Sequence, residues 1–377
     1  MEKLYEKIYM DILAKIKNGT LKENDKVPTE HELVEMYNVS RITAKKALDL
    51  LVEQNMITRY RGKGSFVRSS ISSLSDSQSA PKKGHTIGLI IPDFGEVFGL
   101  GLVKAMERTV TEYGCHFLFR RTLGRVEEEK QAIAAMINEA KVDGLIVFPV
   151  HGVHYNNELL KLVGNQFPVV FVDRYIKGIP ASSVSLDNRE AAIVLTRHLI
   201  KLGHEKIAFL SPPEYGTSSI EDRILGFHIA VAENGLKLDH HYILNNFYST
   251  MPQYQHSENH WQMKKKEILM IKEFLEKNLE ITGMIACEYG IAELIENAVA
   301  LLNKKIPDDY SVVCFDSPPA RDGKHFYTHI QQREEEIGKK AVDLLIDQLK
   351  NHLEPKHYNI NFELITGQSS REIVRKL

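Results

Sequence analysis

Residues 1–53 contain three stretches in which apolar positions recur every three to four residues, the spacing of an amphipathic helix. The first stretch predicts a helix that ends at the glycine of "NGT". A second helix begins in "PTEHELVEMYN", where Thr29 can cap the helix and Glu32 can complete a capping box. Ser40 can cap a third helix. The apolar positions of the first and third helices are Leu4, Ile8, Ile12, Ile16, Ala44, Ala47, Leu48 and Leu51.

The next segment, "MITRYRGKGSFV", alternates apolar and polar residues and carries a glycine turn at Gly62-Lys63-Gly64. This pattern predicts two short strands joined as a hairpin. Two helices separated by a short turn and followed by a hairpin form a winged helix-turn-helix. The sequence therefore predicts a small α+β domain over residues 1–68.

From His85 onward, short runs that are apolar on both faces alternate with helical stretches. Such runs predict parallel sheets that are covered by helices on both sides. The alternation continues to the end of the chain, longer than one open sheet usually carries, so we expect two doubly wound lobes with ligands at the carboxyl ends of the strands. The serine-rich residues 69–84 have the composition of a flexible linker. The strand candidates are "TIGLIIP", "CHFLFRR", "GLIVFPV", "PVVFVD", "KIAFLS", "GMIAC" and "YSVVCFD".

Length and composition exclude several classes of protein. At 377 residues with a formal net charge of −2, the chain is long enough for two or three domains, and any nucleic-acid surface must be local. Cys115, Cys287 and Cys314 lie far apart, so we expect buried reduced thiols rather than disulfides or a zinc ribbon. No apolar run approaches the ~20 residues of a membrane helix, and the charged N-terminus is unlike a signal peptide. These features predict a cytoplasmic protein.

Signals for catalysis are weak. "GLGLVKAME" contains Gly-x-Gly but lacks the third glycine of a dinucleotide site. The histidines of "HGVHY" and "DHHY" lack a helical spacing with a carboxylate that would suit a metal pair. We therefore expect no enzyme activity, no cofactor and no metal site.

A basic cluster in residues 41–68 is opposed in sequence by Asp49 and Glu53 alone. Arg41 lies in the first turn of the third predicted helix, where a guanidinium can contact guanine in a major groove. Lys45 lies one turn later on the same face, and the hydroxyls of Ser40 and Thr43 can donate to phosphate. Helix, cap, charge and wing together indicate a DNA-reading surface. The cluster consists of Arg41, Lys45, Lys46, Arg59, Arg61, Lys63 and Arg68.

Residues 4–67 resemble the DNA-binding domain of the gluconate-repressor (GntR) family. The resemblance rests on Pro-Thr-Glu before the second helix, "VSRIT" before the third, and Gly-x-Gly-x-Phe-Val in the wing. It implies that the DNA contacts fall on Ser40, Arg41, Thr43, Lys45, His31, Arg61, Gly62 and Lys63.

The region from His85 to the end resembles the sensor domain of the lactose-repressor (LacI) family, which is similar to periplasmic sugar-binding proteins. The motifs are "IGLIIPDFGEVFGLGLVKAME", "DGLIVFP", "PVVFVDRY", "HLIKLGHEKIAFLS", "DRILGF", "YSVVCFD" and "THIQQREEEIGKKAVDLL". With the GntR-like head, this combination is that of the arabinose-repressor subgroup. The resemblance implies a two-lobed clamp within 85–377, with lobes of 85–173 plus 331–352 and 175–328 plus 355–377. The chain would cross between lobes near Asp173-Arg174, Thr328 and Leu353.

The same resemblance implies an effector pocket between the lobes. Its arginine falls on Arg223, its aspartate on Asp316, and Cys287-Glu288 stand where Asn-Asp is usual. For Asp316 the alternative role is a cap on the following turn, and for Arg223 it is an ion pair between lobes. The remaining expected pocket residues are Gln332, Phe94, Phe98, Tyr175 and Trp261.

These features together predict a dimeric, sequence-specific transcriptional regulator that binds double-stranded operator DNA. We expect a repressor of carbohydrate-utilisation genes that a small sugar, a monosaccharide, releases from the operator. The alternatives are an activator, or a regulator that senses a sugar phosphate or another small polar metabolite. Arg120, Arg121 and Arg125 are the residues that would serve a phosphate.

Overall fold

In the computed structural model, which describes residues 4–17, 20–21, 25–53, 56–60, 64–67, 84–152, 156–320, 322–351 and 354–373, the N-terminal unit consists of three helices and a three-stranded sheet. The helices are α1 (Leu4–Lys17), α2 (Glu30–Tyr37) and α3 (Arg41–Glu53). The strands β1 (Lys26–Val27), β2 (Ile57–Tyr60) and β3 (Gly64–Val67) form an antiparallel sheet in the order β1-β3-β2. The winged helix-turn-helix prediction is confirmed, and the sheet gains β1, a strand too short to carry a sequence pattern.

Capping hydrogen bonds fix where α2 and α3 begin. Thr29 Oγ1 accepts from the Glu32 amide at 3.3 Å, and the Glu32 carboxylate accepts from the Thr29 amide at 2.7 Å, which is the predicted capping box. Asn38 ends α2 in the left-handed region at φ 49°. Ser40 Oγ then accepts from the Thr43 amide at 3.2 Å, in the first turn of α3. The turn between the two helices is thereby set by side chains that the sequence places at its ends. The buried core beneath it contains Ile8, Ile12, Val27, Leu33, Ala44, Ala47, Leu48, Leu51, Ile57 and Val67.

The second unit contains two six-stranded sheets, each covered by helices. One has the order β14-β8-β7-β6-β4-β5, and the other has the order β10-β9-β11-β12-β13-β15. The pairings are parallel apart from that of β15, which runs antiparallel to β13. The strands are β4 (Thr86–Ile91), β5 (His116–Arg121), β6 (Gly144–Val147), β7 (Val169–Val172), β8 (Ser182–Leu186), β9 (Ile207–Leu210), β10 (Ile243–Leu244), β11 (Gly283–Ala286), β12 (Ser311–Phe315), β13 (Thr328–Gln332), β14 (His357–Ile360) and β15 (Phe362–Ile365). The helices are α4 (Leu100–Glu112), α5 (Val126–Ala134, continued by a π turn over Ala135–Glu139), α6 (Asn157–Gly164), α7 (Asn188–Lys201), α8 (Ser218–Glu233), α9 (Pro252–Gln255), α10 (His260–Lys277), α11 (Tyr289–Leu301) and α12 (Glu334–Lys350), with a 3₁₀ turn over His240–Tyr242.

The sheets define two lobes, and their boundaries differ from those predicted. The first lobe contains residues 84–186 and 334–360, and the second contains residues 188–332 and 362–373. The chain therefore crosses at Asp187, Arg333 and Asn361 rather than near Asp173-Arg174, Thr328 and Leu353. The predicted boundaries were wrong because β8 and β14 extend the first sheet beyond the apolar strands, while β13 still belongs to the second sheet.

The described residues form two compact units, one within Met1–Pro81 and the other within Lys82–Leu377. Of the predicted linker 69–84, residues 69–83 lie outside the described residues. Cys287 and Cys314 are buried free thiols and Cys115 is a partly exposed one. Among the described helices none combines the length and the apolar character that a membrane span requires.

Candidate functional site

The exposed face at the α2–α3 turn centres on an arginine held by a carboxylate. Arg41 Nε donates to Glu30 Oε2 at 3.1 Å, while 84% of the Arg41 side chain remains exposed. Glu30 also lies 3.7 Å from Arg59, which pairs with Asp49 at 2.8 Å. The sequence reading missed Glu30, because Arg41 is eleven positions away and only the folded turn brings the two together. The pair presents an oriented guanidinium at the start of α3.

The other predicted DNA contacts on α3 share that exposed face. The Ser40 and Thr43 hydroxyls are 2.8 Å apart, and Lys45 is exposed one turn beyond Arg41. Ile42 between them is 80% exposed, an unusual position for a large apolar side chain and one suited to contact a thymine methyl group. His31 lies on α2, 3.4 Å from Glu35. Arg61, Gly62 and Lys63 lie outside the described residues.

In the second unit, a cavity of about 670 Å³ lies between the two lobes at the carboxyl ends of their strands. Arg223 on α8 is buried beneath it and stacks on the Phe315 ring, with its guanidinium carbon 3.9 Å from the ring centroid. Its Nε donates to Asn188 Oδ1 at 2.8 Å and its Nη1 to the Cys287 carbonyl at 2.5 Å. These partners are neutral and belong to the second lobe, so the contacts do not form the interlobe ion pair that was the alternative role of Arg223.

Asp316 follows β12 and lies in the left-handed region at φ 60°. Its Oδ2 accepts from Gln332 Nε2 at 2.9 Å, and Gln332 ends β13 on the neighbouring strand. Burial raises the pKa of Asp316 to about 7, although Arg223 and the Gln332 hydrogen bond oppose the shift. Both side chains line the cavity, as the resemblance implied, and the adjacent parallel strands explain why they meet.

Several acceptor atoms in this cavity have no hydrogen-bond partner among the described residues. They are Asp316 Oδ1, Gln332 Oε1, Glu288 Oε1 and Gln253 Oε1. Glu288 precedes α11, and burial raises the pKa of its carboxyl group. A buried polar atom without a partner costs free energy, so this set of acceptors indicates a ligand that donates hydrogen bonds.

The first lobe supplies the aromatic wall. Phe94 and Phe98 line the cavity, and Phe98 packs edge-to-face on Phe148 with ring centroids 6.3 Å apart. Arg174 lies over the same Phe148 ring at 4.9 Å and donates to the Pro149 carbonyl at 3.2 Å. Arg174 and Asp173, which the sequence reading treated only as a lobe crossing, are cavity residues.

Tyr175 and Trp261 lie elsewhere. Tyr175 lines a second cavity of about 320 Å³, and its hydroxyl donates to Asp222 at 3.2 Å. Trp261 stands in the first turn of α10 with 72% of its surface exposed, outside the described lining of the larger cavity. The helical turn directs its neighbours His260 and Lys264 to the cavity instead.

The comparisons with known proteins agree with both units. Residues 4–67 match bacterial regulatory proteins of the gntR family, and residues 196–370 match the periplasmic binding protein-like domain. The chain therefore carries a GntR-type DNA-binding domain followed by a periplasmic binding protein-like domain, and the resemblances of both parts that the sequence indicated are confirmed.

Relatives of this protein span nearly its whole length. It is 27% identical over 384 residues to the arabinose metabolism transcriptional repressor of Geobacillus stearothermophilus, with 98% of each chain covered. It is 26% identical to the ribose operon repressor of Halalkalibacterium halodurans, with 91% of this chain and 95% of the relative covered.

Solved structures support the fold of the second unit. The transcription regulator CcpA of Lactococcus lactis superimposes with a TM-score of 0.64 at 20% identity, covering 76% of this chain and all of that one. A complex of the regulator CelR with cellobiose gives a TM-score of 0.62 at 18% identity over 91% of this chain and all of that one. At these identities the likeness shows the fold alone.

Proposed function

We propose that this protein is a transcriptional repressor of carbohydrate-utilisation genes, which a small sugar in the interlobe cavity releases from operator DNA. Near full-length similarity to repressors of arabinose and ribose genes supports the repressor role. The presence of both domains in one chain supports a division of labour in which one unit binds DNA and the other binds the effector.

The observation that carries the sugar proposal is the set of unpaired acceptors in the cavity. Asp316, Gln332 and Glu288 each present a buried oxygen that lacks a donor. Sugar hydroxyl groups supply such donors, and Phe94 and Phe98 offer rings for the C–H face of a sugar. These groups can bind and orient a polyol without any covalent step, so the proposed role is recognition rather than catalysis.

A sugar phosphate is the less favoured effector. The two buried guanidinium groups of the cavity already donate to protein carbonyls, from Arg223 to Cys287 and from Arg174 to Pro149. Arg121, one of the residues considered for a phosphate, pairs with Asp93 at 3.2 Å. Among the described lining residues, four buried acceptor oxygens lack a hydrogen-bond partner, against two groups that can donate, Arg174 Nε and the Thr250 hydroxyl. This balance suits a neutral polyol better than an anion.

On the DNA side, we propose that Arg41 reads a base edge while Ser40, Thr43 and Lys45 hold phosphate. Arg61, Gly62, Lys63 and His31 remain proposed contacts from the family resemblance. One such unit covers a half-site, so we propose a homodimer whose two-fold axis matches a palindromic operator. Because the operator is chromosomal DNA, we place the protein in the cytoplasm. Sedimentation of the full chain tests the dimer, and a monomer at micromolar concentration contradicts it.

The sugar proposal is tested by gel shift and thermal shift of the full chain against neutral sugars and their phosphates. An effector at 100 times its dissociation constant should add ~2.7 kcal/mol of apparent stability to the second unit and release operator DNA. Asp316→Asn removes the charge of one acceptor, and hydrogen bonds to charged groups contribute about 1.5–3 kcal/mol. Effector affinity should therefore fall about tenfold to a hundredfold, while DNA binding without effector is retained. If the same sugar concentration releases mutant and wild type from the operator, Asp316 does not bind the effector. If sugar makes the protein bind DNA more tightly, the repressor mechanism is wrong.

A further inference from the structure

The two lobes touch at the mouth of the cleft, far from the crossings. β5 and β10 are the edge strands on that side, whereas the crossings lie beside β8, β13, β14 and β15 at the other. Gly124 follows β5, and Gln253 follows β10. A methyl group at Gly124 would lie 2.6 Å from Gln253 Oε1 and 3.3 Å from the Gln253 backbone nitrogen. The two lobes are therefore in close contact at this point of the mouth.

Hydrogen bonds also join the lobes within the cleft. His151 Nε2 lies 2.6 Å from the Pro213 carbonyl oxygen, and the Gly152 amide donates to Thr217 Oγ1 at 2.9 Å. The cavity of about 670 Å³ thus belongs to a clamp whose lobes are already in contact. A monosaccharide, with about a dozen non-hydrogen atoms, fills roughly 200 Å³ at the packing density of a protein interior. The space left over is larger than a single sugar ring.

Polar side chains in the cavity fall into two sets. The inner set lies at the carboxyl ends of three neighbouring strands, β12, β13 and β11, and consists of Asp316, Gln332 and Glu288. The outer set comes from residues 252–264, beyond β10, and consists of Gln253, Gln255, His256, His260 and Lys264. In the strand order β10-β9-β11-β12, the ends of β10 and β12 are three strand spacings apart, or about 14 Å. Both sets carry a buried acceptor without a partner, on Asp316 and on Gln253.

We infer that the effector is an elongated sugar of at least two rings, with one ring on the inner set and another on the outer set. The inference rests on the proposed sugar-sensing function, and it replaces the monosaccharide that the sequence led us to expect. The inner set then fixes the ring that every effector shares, and the outer set selects for chain length.

The test compares monosaccharides with their own dimers by isothermal titration of the full chain. Arabinose, xylose and glucose are each paired with arabinobiose, xylobiose and cellobiose. We expect at least one disaccharide to bind tenfold or more tightly than its monosaccharide. Lys264→Ala should weaken that disaccharide about tenfold and leave the monosaccharide unchanged. The control is Lys265→Ala, one position along α10 and outside the described lining.

Asp316→Asn separates failure of this inference from failure of the sugar proposal. Asp316→Asn should lower the affinity for monosaccharides and disaccharides alike, because the inner set binds the ring that both contain. A monosaccharide that binds as tightly as its dimer, with no effect of Lys264→Ala, overturns the elongated effector but leaves sugar sensing intact. If no member of the panel binds or releases the operator, sugar sensing fails and this inference fails with it.

Discussion

Arg41 and Glu30 form an ion pair across the turn between α2 and α3, with Nε donating to Oε2 at 3.1 Å. If α3 reads DNA as proposed, the exposed arginine would meet it already oriented by a carboxylate on the preceding helix. A solvent-exposed pair of this kind adds little to stability, so we expect its consequence in recognition. Glu30 would then affect both the orientation of Arg41 and the local charge beside Arg41 and Arg59.

Removal of Arg41 and removal of Lys45 from α3 should have different effects. Arg41→Ala should cost about 1–3 kcal/mol of operator affinity and relax the preference at one base position. Lys45→Ala should weaken binding to all sequences alike and flatten the salt dependence, because a phosphate contact carries no sequence information. Competition titrations with operator and random DNA at two salt concentrations measure both effects. Lys7→Ala, an exposed position on α1, is the control, and unchanged base preference in Arg41→Ala would refute the assignment of α3 as the reading helix.

Glu30→Gln should strengthen non-specific binding and weaken discrimination. The change removes a negative charge beside Arg41 and Arg59, which should raise affinity for random DNA about threefold to tenfold, or about 1 kcal/mol. It also releases the Arg41 guanidinium, so the ratio of operator to random affinity should fall. Glu35→Gln on the same helix removes an equal charge without contacting Arg41. If the two variants lose discrimination equally, charge alone accounts for the effect and the Arg41–Glu30 contact has no role in reading.

The pKa of Asp316, raised by burial to about 7, predicts an opposed pH dependence of stability and of effector binding. A carboxyl whose pKa is higher in the folded than in the unfolded state binds protons more tightly when folded, so its contribution to stability declines as pH rises from about 4 to about 7. An effector hydroxyl that donates to Asp316 favours the ionised carboxylate, so effector affinity should fall as pH drops below 7. Titrations from pH 5 to 8 measure both trends. Asp316→Asn should abolish the part of both pH dependences that comes from Asp316. If the mutant keeps the wild-type pH profile, another group is responsible for it.

Gly124→Ala should weaken effector binding about tenfold, or about 1.4 kcal/mol, by holding the mouth of the clamp open. The new methyl group would lie 2.6 Å from Gln253 Oε1. Gly114→Ala is a matched control, because Gly114 has the same φ of +67° with nothing within 4 Å of the added carbon. Each variant bears the backbone strain of a left-handed alanine, about 1–2 kcal/mol, so melting temperatures should fall together while only Gly124→Ala loses affinity. An equal loss of affinity in both would mean that backbone strain, not the contact with Gln253, is responsible.

Local patterns identified β4, β6, β7, β9, β11 and β12, because burial between two helical layers requires a run that is apolar on both faces. They also identified β5, whose apolar run lies at an exposed edge of its sheet. They missed β8, whose sequence "SSVSL" is fully buried yet rich in serine, and β10, which has two residues. They also missed β13, whose residues are largely polar, and the four-residue edge strands β14 and β15. Since β8, β13, β14 and β15 lie next to the crossings, the predicted lobe boundaries were displaced.

The cavity was predictable only where side chains follow apolar strands. Asp316, Glu288 and Gln332 stand at strand ends, and parallel strands bring such positions together. The outer set comes from residues 252–264, which comprise the short helix α9, the turn after it and the start of α10, and no strand fixes their register. The prediction that Trp261 lines the pocket was wrong because its neighbours on α10 face the cavity instead. Which residues of a helix face a cavity depends on the rotation of the helix about its axis, and the aromatic character of a residue does not reveal that rotation.

The three crossings are each one residue long. β8 ends at Leu186 and α7 begins at Asn188, β13 ends at Gln332 and α12 begins at Glu334, and β14 ends at Ile360 while β15 begins at Phe362. Links this short leave no slack for the lobes to slide past one another, so opening is confined to a swing about the line through Asp187, Arg333 and Asn361. Gly84, where the described part of the first lobe begins, must travel with that lobe as part of one rigid lever. Under the proposed function, effector binding would therefore reach Gly84 as a change of angle about that axis.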